Sequence, residues 1–154
     1  TDMFKWNGSL PTYFRIISLD NGEELARIPG PAFFTFHHIN AYQTKINNQD
    51  HIIIDICAYD DHRVIKELCL NKLRQNTYPS EPYENLQKIS DDQEQSYPIS
   101  YKNSLVPVQI ELPRINPNFI GKLYRYIYAG RGAPNYNFDA LVKIDLQTQK
   151  IAGL

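Results

Sequence analysis

Apolar and polar residues alternate through most of this chain, and the pattern reads as short β-strands joined by turns. Residues 13–19, Tyr-Phe-Arg-Ile-Ile-Ser-Leu, are strand-like. They are closed by Asp20-Asn21-Gly22, residues that tolerate the positive φ of a tight turn. A return strand over 24–28 is cut off by Pro29-Gly30-Pro31. Two more strands, 32–42 and 51–59, flank a polar turn over 45–50, and the second carries Ile52-Ile53-Ile54. Four strands with short connections predict one antiparallel sheet. Strands resume at 105–112, 123–129 and 140–146, and Gln147-Thr148-Gln149 turns into a last one. The hairpins at 13–28 and 140–154 share a layout, and hairpins recurring at wide spacing suggest blades of a propeller.

One stretch breaks the alternation. Asp60 and Asp61 offer an N-cap, and Val64, Ile65, Leu68, Cys69 and Leu73 follow at helical spacing. Lys72 and Arg74 close the stretch, where cations suit the helix dipole, so one short helix is predicted. Residues 77–104 are rich in Pro, Ser and acids (Glu81, Glu84, Asp91, Asp92, Glu94). They read as a long surface excursion within one domain spanning 1–154, not as a linker. Gly130-Arg131-Gly132-Ala133-Pro134 lacks the spacing of a phosphate loop and reads as a turn.

Composition narrows the class. Hydrophobic residues make up 42% and charged residues 21%, which suits a globular chain with a core. Aromatics reach 12%, with 11 Tyr and 7 Phe, and favour strands. Sixteen basic residues against 17 acidic ones leave a net charge of −1, so nucleic-acid binding has no electrostatic support. No stretch approaches the roughly 18–20 apolar residues needed to span a bilayer. Cys57 and Cys69 lie unclustered in apolar stretches and read as reduced core residues of a cytosolic protein. The first residues show no signal peptide, and the last fall inside a strand pattern, so the chain is expected to be a fragment.

The chemistry concentrates in one strand, where His37 and His38 sit inside an aromatic run. Side chains alternate across a strand, so the two rings face opposite ways and cannot both bind one ion. A histidine in such a place is either a hydrogen-bonded core residue or a ligand. His51 and His62 begin a strand and a helix, and none of the four has zinc-finger spacing. Downstream, Val106, Val108, Ile110 and Leu112 alternate on one face, which on pattern alone leaves Gln109 and Glu111 facing solvent.

Phe36-His37-His38-Ile39-Asn40-Ala41-Tyr42 resembles an iron-ligand motif of the carotenoid cleavage oxygenases, where Phe-His is followed two residues on by Asn-Ala, an aromatic and an acid. Gln43 stands where the acid is usual. A second segment, Glu111-Leu112-Pro113-Arg114-Ile115-Asn116 followed by Tyr124-Arg125-Tyr126-Ile127-Tyr128, resembles the animal branch of that family. The resemblance covers essentially the whole chain. It implies an all-β fold, about two blades of a seven-bladed β-propeller. It also implies a non-haem Fe(2+) on four histidines, with His37 as one ligand and Glu111 accepting a hydrogen bond from it. The other three histidines would lie in the rest of a longer parent, two before this chain and one after it. The implied activity is dioxygenase cleavage of a carotenoid or apocarotenoid by O2 to aldehydes such as retinal. A retinyl-ester isomerohydrolase of the same fold is the alternative, and a non-catalytic propeller used as a binding module is another. Peripheral membrane contact is the expected limit of any membrane association.

Overall fold

The computed structural model describes residues 4–75, 108–132 and 138–153. The proposed surface excursion over 77–104 lies outside them. Among the described residues the strands are β1 (Thr12–Ile17), β2 (Glu24–Gly30), β3 (Phe34–Ile46), β4 (Gln49–Tyr59), β5 (Ile110–Arg114), β6 (Tyr126–Gly132), β7 (Phe138–Asp145) and β8 (Lys150–Gly153). Two short helices, α1 (Arg63–Glu67) and α2 (Leu70–Gln75), follow β4.

The alternation placed the strands, but not how they group. β1 pairs only with β2, and β3 only with β4, as two separate antiparallel hairpins. The single sheet expected from the first four strands therefore does not form. Pro29 and Pro31 at the end of β2 lack the N–H donors that a ladder into β3 would need. In the first hairpin Gly22 takes φ 76°, a conformation that favours glycine. In the second, the six-residue turn expected over 45–50 contracts to two residues. Asn47 and Asn48 take φ 51° and 64°, and the strands run up to them on both sides.

The helical stretch is likewise split. Leu68 N–H still bonds back to the Val64 carbonyl, but Cys69 N–H reaches the Lys66 carbonyl only three residues away. That tighter bond turns the chain between α1 and α2. Asp61 does serve the start of α1, accepting the Arg63 N–H at 2.8 Å, although His62 occupies the cap position. Cys57 is buried as expected. Cys69, at the junction of the helices, is exposed, which corrects its reading as a core residue.

β5, β6, β7 and β8 form a four-stranded antiparallel meander, the layout of a propeller blade. Gly130, Arg131 and Gly132 are paired within it opposite Leu141, Ala140 and Phe138, so these three are strand where a turn was expected, and Ala133 and Pro134 lie outside the described residues. Ile127 lies opposite Ile144 and Ala129 opposite Val142. All four are buried, and with Tyr124 they form the core. Ile39 and Tyr42 of β3 pack onto it from the neighbouring hairpin, so the core is the seam between two sheet pieces. Tyr124 and Tyr42 meet edge to face at 6.2 Å, and the Tyr124 hydroxyl donates to Asp55 of β4 at 2.7 Å. Burial raises the Asp55 pKa, the Tyr124 bond opposing it, and burial also raises the Tyr124 hydroxyl, with Asp55 adding to it.

Asp145, at the end of β7, takes a bidentate grip from Arg125 (3.0 and 2.7 Å) and the Gln147 N–H. The Arg125 hydrogen bonds hold its carboxyl down at about 2. An unfolded Asp titrates near 3.9, so this stabilisation is complete above about pH 4 and lost as the pH falls towards 2. Asp145→Asn is therefore expected to flatten the acid limb of a stability-against-pH curve between about pH 4 and 2. An unchanged acid limb in chemical denaturation would contradict this.

Candidate metal-ligand site

His37 owes its aim to a break in its own strand. β3 pairs in register with β4 up to Thr35, opposite Ala58. One extra residue precedes His38, opposite Ile56, and another precedes Asn40, opposite Asp55. Extra residues of this kind bend a strand and re-aim its side chains. His37 is half-buried and turned towards β5, while His38 is exposed.

β5 brings Glu111 to this point. The Nδ1 of His37 lies 2.6 Å from Glu111 Oε2, across 74 residues of sequence. Glu111 is only 8% exposed, so the solvent-facing position read from alternation alone is corrected. Alternation tells which residues share a face, but not which face meets water. Here the face that holds Glu111 is turned towards the β3–β4 hairpin. Leu112 reinforces the arrangement from the backbone. It takes φ 54°, left-handed for a non-glycine residue, and its N–H donates to Glu111 Oε2 at 3.1 Å. The other oxygen, Oε1, accepts the Tyr59 hydroxyl at 2.8 Å.

The protonation pattern follows from this geometry. An ionised carboxylate only accepts, so it takes the hydrogen bond from Nδ1–H of His37, which leaves Nε2 as the ring nitrogen available to a metal. Among the described residues Nε2 has no hydrogen-bond partner, and the ring lines an open hollow of about 240 Å³. Phe36, Tyr59, Leu112 and Phe138 also line it. Burial, then the Glu111 charge, pushes the Tyr59 hydroxyl well above its usual range, so it stays a donor. The same two causes push the Cys57 thiol up to about 12, and it stays protonated.

Phe138 holds its place because Gly130 has no side chain. A Cβ on Gly130 would sit 2.6 Å from Phe138 Cδ1. Gly130→Ala is expected to swing the Phe138 ring off the strand and reshape the hollow. A crystal structure of the variant with that ring unmoved would contradict this.

Asn40 has a role that sequence reasoning missed. It is buried, its Nδ2 donates to the Phe119 and Lys122 carbonyls (3.2 and 3.0 Å), and its Oδ1 accepts the Gly121 N–H (3.0 Å). It pins the turn between β5 and β6 to the strand that carries His37. Its place in the Phe36–Tyr42 motif is the signal that could have found it. Gln43 is exposed and faces Asp50 across the hairpin at 3.5 Å, outside the hydrogen bonds of His37. His51 sits in β4 opposite Thr44, and His62 stacks on Trp6 at 5.9 Å. No group of three or more His, Cys, Asp or Glu side chains converges among the described residues. No described helix is long and apolar enough to cross a membrane.

Two adjoining propeller-type sheets, with a carboxylate-oriented histidine between them, define a class of protein, and known proteins agree with it. The chain belongs to the RPE65 (retinal pigment epithelial membrane protein) family, whose model matches residues 1–153. It is 29% identical to carotenoid cleavage dioxygenase 8 of Arabidopsis thaliana over 96% of this chain, and 28% identical to apocarotenoid-15,15'-oxygenase of Synechocystis over 90%. It is 25% identical to β,β-carotene 15,15'-dioxygenase of Gallus gallus over 91%. The similarity is thus spread across plant, cyanobacterial and animal members of the family. The chain spans 28%, 27% and 31% of the lengths of these relatives. Cobalt-substituted Synechocystis ACO superposes with a TM-score of 0.60 at 22% identity, over 96% of this chain and 30% of that one. An ACO/RPE65 chimera does so equally well. The likeness shows the fold: this chain is part of a β-propeller.

Proposed function

We propose that this chain supplies one iron ligand, His37, to a carotenoid or apocarotenoid oxygenase that cleaves a conjugated double bond to aldehydes such as retinal. The observation that carries the reading is the 2.6 Å contact between His37 Nδ1 and the buried Glu111. A carboxylate on the remote nitrogen of a ligand histidine fixes its tautomer and orientation and raises its basicity. The family match and the names of the relatives support the substrate class.

The residues present fit Fe(II) as one part of a larger donor set. An imidazole that lines the hollow, with Nδ1 held by a carboxylate, is a donor suited to iron. One imidazole does not hold an ion, so three further histidines are proposed in the rest of the parent protein. Held by His37 and such histidines, Fe(II) would supply O2 activation. The chain's own part is to bind and to shape. Glu111 holds the proton at Nδ1, Leu112 N–H and Tyr59 hold Glu111, and Phe36, Leu112 and Phe138 give the hollow an apolar wall for a polyene. We place the parent in the cytoplasm, with membrane contact at most peripheral.

The test is His37→Ala in the intact parent protein. Bound iron, measured by atomic absorption, and apocarotenoid cleavage, followed by chromatography, are both expected to be lost. Full iron content and full cleavage in a folded His37→Ala protein would overturn the assignment.

A further inference from the structure

We propose that Tyr59 is a positioning residue for the His37 ligand, acting through Glu111 by donating its hydroxyl proton to the carboxylate oxygen that His37 leaves free. The inference rests on the reading of His37 as a metal ligand. It begins from a mismatch between the Tyr59 ring and its hydroxyl. The ring packs against Phe34 at 6.3 Å and edge-on against Phe36 at 5.9 Å, in an aromatic wall where phenylalanine would pack as well. The hydroxyl is therefore the part of Tyr59 that packing does not explain. A buried hydroxyl costs free energy unless it is bonded, and this one is bonded towards the site: it donates to Glu111 Oε1 at 2.8 Å. The Gln109 side chain also hydrogen-bonds this hydroxyl.

One consequence follows from elementary chemistry. A glutamate has three rotatable bonds, and a carboxylate gripped at one oxygen alone can pivot. With Tyr59 on Oε1, and with His37 and the Leu112 N–H on Oε2, both oxygens are fixed, and the imidazole is fixed with them. Tyr59 thus sets where the ligand points.

The experiment compares the intact parent protein with its Tyr59→Phe variant, with and without iron. In the iron-free, ring-15N-histidine protein at one fixed pH, His37 is assigned by the signal lost in His37→Gln. The parent is expected to show a single Nδ1–H tautomer. Tyr59→Phe is expected to move the two ring-nitrogen shifts towards each other, as the tautomers average. Fe(II) affinity, from chelator competition, is expected to fall by up to about 10-fold, the lower end of the loss seen when such a partner is removed. Gln109→Leu, at an exposed position, is expected to shift the same signals less, and it decides the matter if Tyr59→Phe does not fold. Unchanged His37 ring shifts in folded variants would overturn the proposal. Tautomer averaging in Tyr59→Phe, together with iron retained in His37→Ala, would leave Tyr59 as a positioning residue and remove the metal reading. Loss of iron in His37→Ala with unmoved ring shifts in Tyr59→Phe would do the reverse.

Discussion

Glu111→Ala is expected to weaken Fe(II) binding by the intact parent protein about 10- to 100-fold, the usual cost of removing the partner of a ligand histidine. The expectation rests on how fully this carboxylate is used. It is 8% exposed, and it takes His37, the Leu112 N–H and the Tyr59 hydroxyl on its two oxygens. Removing it frees the imidazole to rotate and to change tautomer, and takes away the carboxylate to which the Tyr59 hydroxyl donates. Glu111→Gln is the informative companion. Its amide oxygen can still accept from Nδ1, but its amide nitrogen would face the Tyr59 hydroxyl, where an acceptor stood. It should keep the shape and lose less affinity than Ala. Chelator competition reads both, and an unaltered affinity in Glu111→Ala would remove Glu111 from the site.

The second large effect is expected in the core. Ile144 is fully buried and faces Ile127, itself 1% exposed, across β6 and β7. Ile144→Ala deletes three buried carbons and leaves a cavity at the seam between two sheet pieces, where little can collapse to fill it. Such substitutions cost about 2–5 kcal/mol. Urea denaturation is expected to show that loss, whereas Leu141→Ala on the same strand, 79% exposed, should cost far less. Equal effects at the two positions would show that the core is not where the structure puts it.

These two residues also mark how far the sequence could be read. Alternation in β6 and β7 is regular, so the inward set Ile127, Ala129, Val142 and Ile144 is legible from pattern alone. Glu111 is not. It precedes Leu112, whose left-handed backbone no glycine or asparagine announces, and a slip in register follows before Arg114. The two extra residues in β3 are hidden in the same way, because a bulge is fixed by what the strand packs against and not by local propensity. Motif resemblance paired His37 with Glu111 where periodicity pointed the other way. Neither source of information reached Tyr59, whose hydroxyl matters only once β4 and β5 lie side by side. Asn47-Asn48 shows the converse case. Two residues that tolerate left-handed backbone stand together there, and they make a turn shorter than the polar run around them suggests.

The account turns on His37 presenting Nε2 to iron while Nδ1 stays with Glu111. A crystal structure of the iron-loaded parent protein, with anomalous data collected on both sides of the iron absorption edge, tests this most directly. The expected result is an iron peak bonded to His37 Nε2, three other histidine nitrogens completing the donor set, and Glu111 still within hydrogen-bonding distance of Nδ1. An iron peak remote from His37, or one bonded to Nδ1 with Glu111 displaced, would contradict the account.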